Sequence, residues 1–225
     1  MPAAIDIARV VAVKYSAYTG GSLSGMCVVP DNMLIAIEWN QTTGLQVPSS
    51  ITYNSVGMSL FASANDTNVF SASIWYLANP PVGNNYTLAA TYNPSGFGSG
   101  ALGFMPCSGV NLSSPFGTTN SGHSFANNNG AVSLSGASAS DLYLAICGNG
   151  CTSQSSGSGQ SNIWTETNIG SGFCASADQI QGQNAGSFSW SNSGSSTALE
   201  WLAFCTFVKG QIPPSSYAID EQTEF

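Results

Sequence analysis

The sequence predicts an all-β chain: an antiparallel, jelly-roll-like β-sandwich with long polar loops and an extended C-terminal tail. Three observations predict it. Runs rich in aromatic and β-branched residues recur at short, regular intervals, and Gly, Pro, Asn or Ser bounds nearly every one, the pattern of a sandwich. The Ala-rich pieces are broken by Ser and Gly, and no amphipathic stripe of period 3.6 extends over ten residues, so almost no helix is expected. The chain of 225 residues is long enough to bury a proper core without staples.

Taken in order, strands are expected over residues 7–13, 25–29, 33–39, 50–54, 58–62 and 69–77, then 86–91, 101–107, 131–135, 141–147, 187–191 and 197–209. The sixth carries "SIWYL", residues suited to a pleated, half-buried surface. Pro80 and Pro81 have no N–H for a ladder and a fixed φ, so that strand must end at Asn79. Gly83 and Asn84 then allow a turn, after which Tyr86, Leu88 and Ala90 alternate toward one face. In the last strand, "TALEWLAFCTFVK", Leu199, Trp201, Ala203, Cys205 and Phe207 share one face and Leu202, Phe204 and Val208 the other. Both faces are apolar, which suits a central strand covered on each side or one whose outer face meets a partner. Residues 111–130 and 148–162 are rich in Gly, Ser and Asn and are read as surface loops of a single domain spanning 1–212. The segment 213–225, with Pro213 and Pro214 followed by Ile219, Asp220, Glu221, Glu224 and Phe225, reads as an acidic tail whose apolar residues could anchor on a partner.

Charge narrows the partners. Charged residues make up 6% of the chain, against about 25% in ordinary domains. Solubility therefore rests on Ser, Thr, Asn, Gln and Gly, with a net charge of −8 adding mutual repulsion. The basic residues are Arg9, Lys14 and Lys209, too few to follow a phosphate backbone, so no nucleic-acid partner is expected, nor an anionic membrane. No apolar run approaches the roughly 20 residues of a membrane span. Asp6 and Arg9 interrupt what would be a secretory signal's apolar stretch, so no such signal is expected.

The succession "ITYNSVGMSL", "SIWYLANPPVGNNYTLAATY", "ALGFMPCSGVNLSSPFG", "SDLYLAI" and "SFSWSNSGSSTALEWLAFCTFVK" resembles a β-sandwich module found repeatedly in bacterial surface proteins and phage virion proteins. In that module a "tyNGvamt" hairpin strand precedes a "WYLvnPPsGt" corner and an "sGvd…tPfG" loop, and a Trp-bearing strand closes the unit. The likeness covers about Met33 to Pro213 and carries no catalytic signature. It implies that the double-proline corner ends one sheet-spanning strand and redirects the chain into the next. Ser55 stands where the module usually has Gly, and Asn111 where it has Asp. Cys107, Cys147, Cys174 and Cys205 fall where small or apolar residues are commoner, so their role is this chain's own.

Candidates for chemistry are few, and no catalytic, cofactor-binding or metal-ligating residue is assigned. His123 is the single histidine and sits in a Ser/Asn-rich stretch, which removes most Ser/His/Asp and Cys/His schemes. Asp6, Asp31, Glu38, Asp66, Asp141, Glu166, Asp178 and Glu200 are scattered singly; a glycosidase needs two carboxyls to converge. Trp75 and Tyr76 point to opposite faces, so core packing is favoured over a sugar-stacking platform. "CGNGC" brings Cys147 and Cys151 close, and disulfide and free thiols both stay open for that pair. A zinc site would want a second short pair, which Cys174 and Cys205 do not supply. Cys27, Cys107 and Cys205 lie in apolar strands and read as small buried hydrophobes.

These readings favour a non-enzymatic phage virion protein, most concretely a capsid decoration (cement) protein on the head exterior, assembled in the host cytoplasm. Its partners would be the major capsid protein or another virion subunit and further copies of itself, with a trimer favoured. Two alternatives are an adhesion or glycan-binding module of a tail fibre or cell surface, and a secreted glycoside hydrolase.

Overall fold

The computed structural model describes residues 1–16, 22–42, 47–66, 69–92, 97–125, 129–170, 172–182, 185–195 and 200–211. The expected tail, 213–225, lies outside them. Within them the chain is antiparallel β-structure apart from one 3-10 turn, Ile7–Arg9.

The N-terminal half holds β1 (Ala4–Ile5), β2 (Val11–Ser16), β3 (Ser22–Cys27), β4 (Asp31–Thr42), β5 (Ser50–Tyr53), β6 (Val56–Gly57), β7 (Ser59–Asn65), β8 (Phe70–Ala78), β9 (Gly83–Thr91) and β10 (Phe97–Ser108). The C-terminal half holds β11 (Phe116–Ser124), β12 (Ala131–Ser135), β13 (Leu142–Asn149), β14 (Cys151–Ser156), β15 (Ser161–Ile169), β16 (Phe173–Gln181), β17 (Ala185–Ser195) and β18 (Trp201–Val208). One sheet runs β2-β10-β4-β8-β7, with β1 also on β10; a second runs β11-β18-β13-β16-β15. Two smaller sheets run β3-β9-β5-β6 and β12-β17-β14.

These orders are the same order twice. Replacing β2, β3, β4, β5, β7, β8, β9 and β10 by β11 to β18 in turn converts the first pair of sheets into the second. The register repeats too. Gly103 of β10 pairs with Ile37 and Ala12, and Phe204 of β18 with Ile146 and Ser121. A register break in β7 between Leu60 and Ala62, opposite Trp75 and Ile74, recurs in β15 between Asn162 and Trp164, opposite Asp178 and Ala177. Even the turns into β4 and β13 match: Val28 N–H donates to Asp31 at 2.9 Å, and Ser138 N–H to Asp141 at 2.8 Å. Each half is an eight-stranded jelly roll of two packed sheets.

The rolls stack through their larger sheets, making four layers with three apolar fillings. Sheets buried on both sides need both faces apolar. Met33, Ile35, Ile37 and Trp39 of β4 meet Leu142, Leu144 and Ile146 of β13 in the central filling, with Leu202, Phe204 and Val208. The alternate residues Leu34 and Ala36 face Ile51, Tyr53 and Leu88 of the N-terminal outer sheet. Tyr143, Ala145, Cys147, Trp201, Ala203, Cys205 and Phe207 face Val132, Phe188 and Trp190 of the C-terminal one. The contacts between rolls are reciprocal: β7 meets β11 where Phe61 stacks on Phe116, and β15 meets β2 where Lys14 donates to the Thr167 carbonyl. This is the arrangement of a two-fold dimer, here within one chain. Trp39 and its register equivalent Gly148 meet across it, and a Cβ on Gly148 would run into the indole.

Several expectations change. The single sandwich over 1–212 becomes two stacked ones. The stretches 111–130 and 148–162, read as loops, contain β11 and β14; both are edge strands with exposed Ser, Thr and Asn, so their polarity reflects position rather than a lack of structure. β15 and β16 were not expected. β16 carries the small residues Cys174, Ala175, Ser176 and Ala177 in succession, a run without a strong strand signature. The strand expected over 7–13 starts only at Val11, as β2, because residues 7–9 form the turn that brings Arg9 to Asp6. The final strand is a central one, paired on both edges and covered on both faces within the chain, so it calls for no partner copy.

Candidate functional site

Each roll buries one carboxylate in its own core. Glu38 projects from β4 between the two N-terminal sheets and is fully buried. Its Oε1 accepts from Tyr15 Oη at 2.9 Å, Tyr92 Oη at 2.5 Å and Asn40 Nδ2 at 2.5 Å, and its Oε2 from Ser73 Oγ at 3.0 Å. Trp75 Nε1 supports Ser73 at 3.0 Å. Burial pushes the Glu38 carboxyl up to about 7 against four hydrogen bonds that pull it down. Desolvation and the Glu38 charge drive both tyrosines well above their usual range. In the C-terminal roll Asp178 of β16 accepts from Ser156, Trp190 and, at 3.1 Å, Asn162; burial raises it as well. A general acid must reach a substrate proton, whereas both of these carboxylates are fully buried.

Asp31, Asp66 and Asp141 serve turns, whereas Glu166 lies on edge strand β15. Asp66 accepts from Val69 and Phe70 N–H at 2.9 and 3.0 Å, and Asp141 from Ser138 and Gly210 N–H. Glu200 is raised by burial and then by the Asp66 charge, and Asp66 is committed to its turn. Trp75 faces the N-terminal core and Tyr76 packs on the central one, as their opposite faces require. His123 lies on edge strand β11 rather than in a loop, exposed, its ring 5.5 Å from that of exposed Phe125.

All six cysteines are free and buried. Burial pushes the thiols of Cys27 and Cys205 up to about 11 and about 12, and those of Cys107 and Cys147 further. Among the described residues no three His, Cys, Asp or Glu side chains gather where a metal ion could sit.

Two open depressions occupy equivalent places on the rolls. One, of about 420 Å³, is lined by Val11, Ser24 and Asn85; the other, of about 330 Å³, by Asn120, Ser133 and Ala185. The rolls differ at one end. There the β3–β4, β5–β7 and β8–β9 connections of the N-terminal roll come to the same side, since Cys27 pairs with Gly83 and Tyr53 with Leu88. They present Val29, Val82 and Val56, which are 81%, 52% and 41% exposed, beside Pro30 and Pro81. The equivalent stretches of the C-terminal roll, 136–140, 157–160 and 182–184, contain only Gly, Ala, Ser, Gln and Asn. This apolar tip is the surface that the sequence reading missed, because its valines are scattered over three separate turns.

No family model, no curated protein and no solved structure matches this chain.

Proposed function

We propose that the chain is a non-enzymatic structural protein of a phage virion, a capsid decoration protein that seats on the head exterior through the apolar tip of its N-terminal roll. The carrying observation is the inequality of the two tips. Exposed valines on three turns at one end mark an interaction site, and the matching stretches of the other roll, 136–140, 157–160 and 182–184, carry no large apolar residue. The sequence resemblance to virion modules supports the same reading, as does the use of jelly rolls in viral capsids, an argument from fold analogy. The partner is the major capsid protein or a neighbouring virion subunit, with copies of the chain grouped as a trimer on a local three-fold axis.

The test is occupancy. A Val29→Asp, Val82→Asp variant should keep its melting midpoint within about 2 °C, since exposed positions contribute little to stability, and should lose at least about tenfold in retention on undecorated heads. Retention equal to that of the unmodified protein would overturn the proposal. A second reading, a glycan-binding module of a tail fibre or cell surface, is favoured by the exposed Phe125 beside His123. Binding to a glycan array that is abolished by Phe125→Ala would favour it over the first.

A further inference from the structure

We infer that Cys151 and Cys174 form a covalent cross-link site, closing to a disulfide when the folded protein meets a hydroperoxide. This inference does not depend on the proposed function. It starts from the ladder between β13 and β16, where Asn149 pairs with Cys174. The chain then leaves the inner sheet at Gly150, whose N–H donates to the Glu200 carbonyl at 3.1 Å, and Cys151 opens β14 in the outer sheet opposite Ser195. Cys151 is thus two residues past the cross-strand partner of Cys174. The Cys174 Sγ donates to the Cys151 carbonyl oxygen at 2.9 Å, the Cys151 Sγ donates to the Ser153 carbonyl at 3.1 Å, and each thiol shifts the titration of the other. Cys147, the partner that the spacing "CGNGC" suggested for Cys151, instead points into the C-terminal outer core among Val132, Phe188 and Trp190.

The chemistry follows from this contact. The neighbouring Cys151 thiol holds the Cys174 thiol below its usual range, which favours Cys174 as the attacking sulfur. Its sulfur attacks one oxygen of hydrogen peroxide; the O–O bond breaks, an S–O bond forms, and the departing hydroxide takes a proton to become water. The Cys151 sulfur then attacks the sulfenic sulfur. An S–S bond forms, the S–O bond breaks, and the second hydroxide leaves as water with the Cys151 proton. Two thiols and one peroxide become one disulfide and two waters, the thiols oxidised and the peroxide reduced. Cys151 and Cys174 are buried, so the peroxide reaches them when edge strand β14 opens beside the exposed Thr152 and Ser153. The bond would pin the crossing from inner to outer sheet onto β16 and close the chain from β14 through β15.

The full-length protein, prepared reduced, is exposed to hydrogen peroxide under native conditions, quenched, denatured and alkylated. Wild type should lose two of its six alkylatable thiols, and peptide mapping should link residue 151 to residue 174, with a melting midpoint raised by about 6 °C. Cys147→Ser should still form the link, whereas Cys174→Ser should not. Mapping is done on wild type, so misfolding of a variant leaves the result readable. Six thiols still alkylatable after oxidation, or a link between residues 147 and 151, would overturn the inference.

Discussion

Glu38 is the residue at which folding and pH are coupled most directly. Its carboxyl sits near 7 when folded, against about 4.3 in an unfolded chain. The folded state therefore holds the Glu38 proton more tightly than the unfolded state. This stability is fully present below about pH 4.3 and declines as pH rises through 7, by something on the order of 3 kcal/mol. Asp178, also raised by burial, acts in the same direction. The protein should accordingly be more stable toward urea at pH 5 than at pH 7. Glu38→Gln, which mimics the protonated acid while keeping an oxygen for Tyr15, Tyr92 and Asn40, should flatten that dependence. Equal slopes for the variant and the unmodified protein between pH 5 and 7 would count against it.

At the scale of elements, the double-proline corner behaves as read from the sequence. β8 ends at Ala78, Asn79 takes a left-handed φ of 49° with its N–H on the Asn32 carbonyl at 2.9 Å, and β9 starts at Gly83. Pro80 is buried and Pro81 half-buried. Replacing both by Ala should lower unfolding free energy by roughly 0.5–2 kcal/mol through the freedom added to the unfolded chain; an unchanged denaturation midpoint would show that the corner is held by its neighbours alone. Strands of this kind were legible because strong side chains and hard stops coincide, as in β4, β8, β12 and β18. β11, β14 and β16 were not, for opposite reasons. The first two are polar edges, and the third is a buried strand of small residues, so neither alternation nor β-branched enrichment announces them. The buried thiols of Cys27, Cys107 and Cys205 were legible from their apolar flanks. The contact between Cys151 and Cys174 was not, since it depends on how β13 and β16 pair.

At the scale of the molecule, the doubled jelly roll leaves only a faint trace in the sequence: Ala36, Ile37 and Asn40 recur as Ala145, Ile146 and Asn149, while other equivalent positions share pattern and not identity. Glu38 corresponds to Cys147, Trp75 to Asp178 and Gly103 to Phe204 by register. What repeats is strand order, the inward alternation of the large sheets and the interruption in β7 and β15. The halves are joined covalently between β10 and β11, where Ser113 and Ser114 are exposed in a turn, and are held by the central filling that both large sheets share. A contact face this apolar should hold without the covalent link, as interfaces resembling a halved core do. A site-specific protease sequence placed at Ser113–Ser114 tests this on the full chain. After cleavage the two fragments should co-elute as one species of unchanged hydrodynamic size and separate only in denaturant. Separation under native conditions would mean that the connection, rather than the paired sheets, keeps the rolls together.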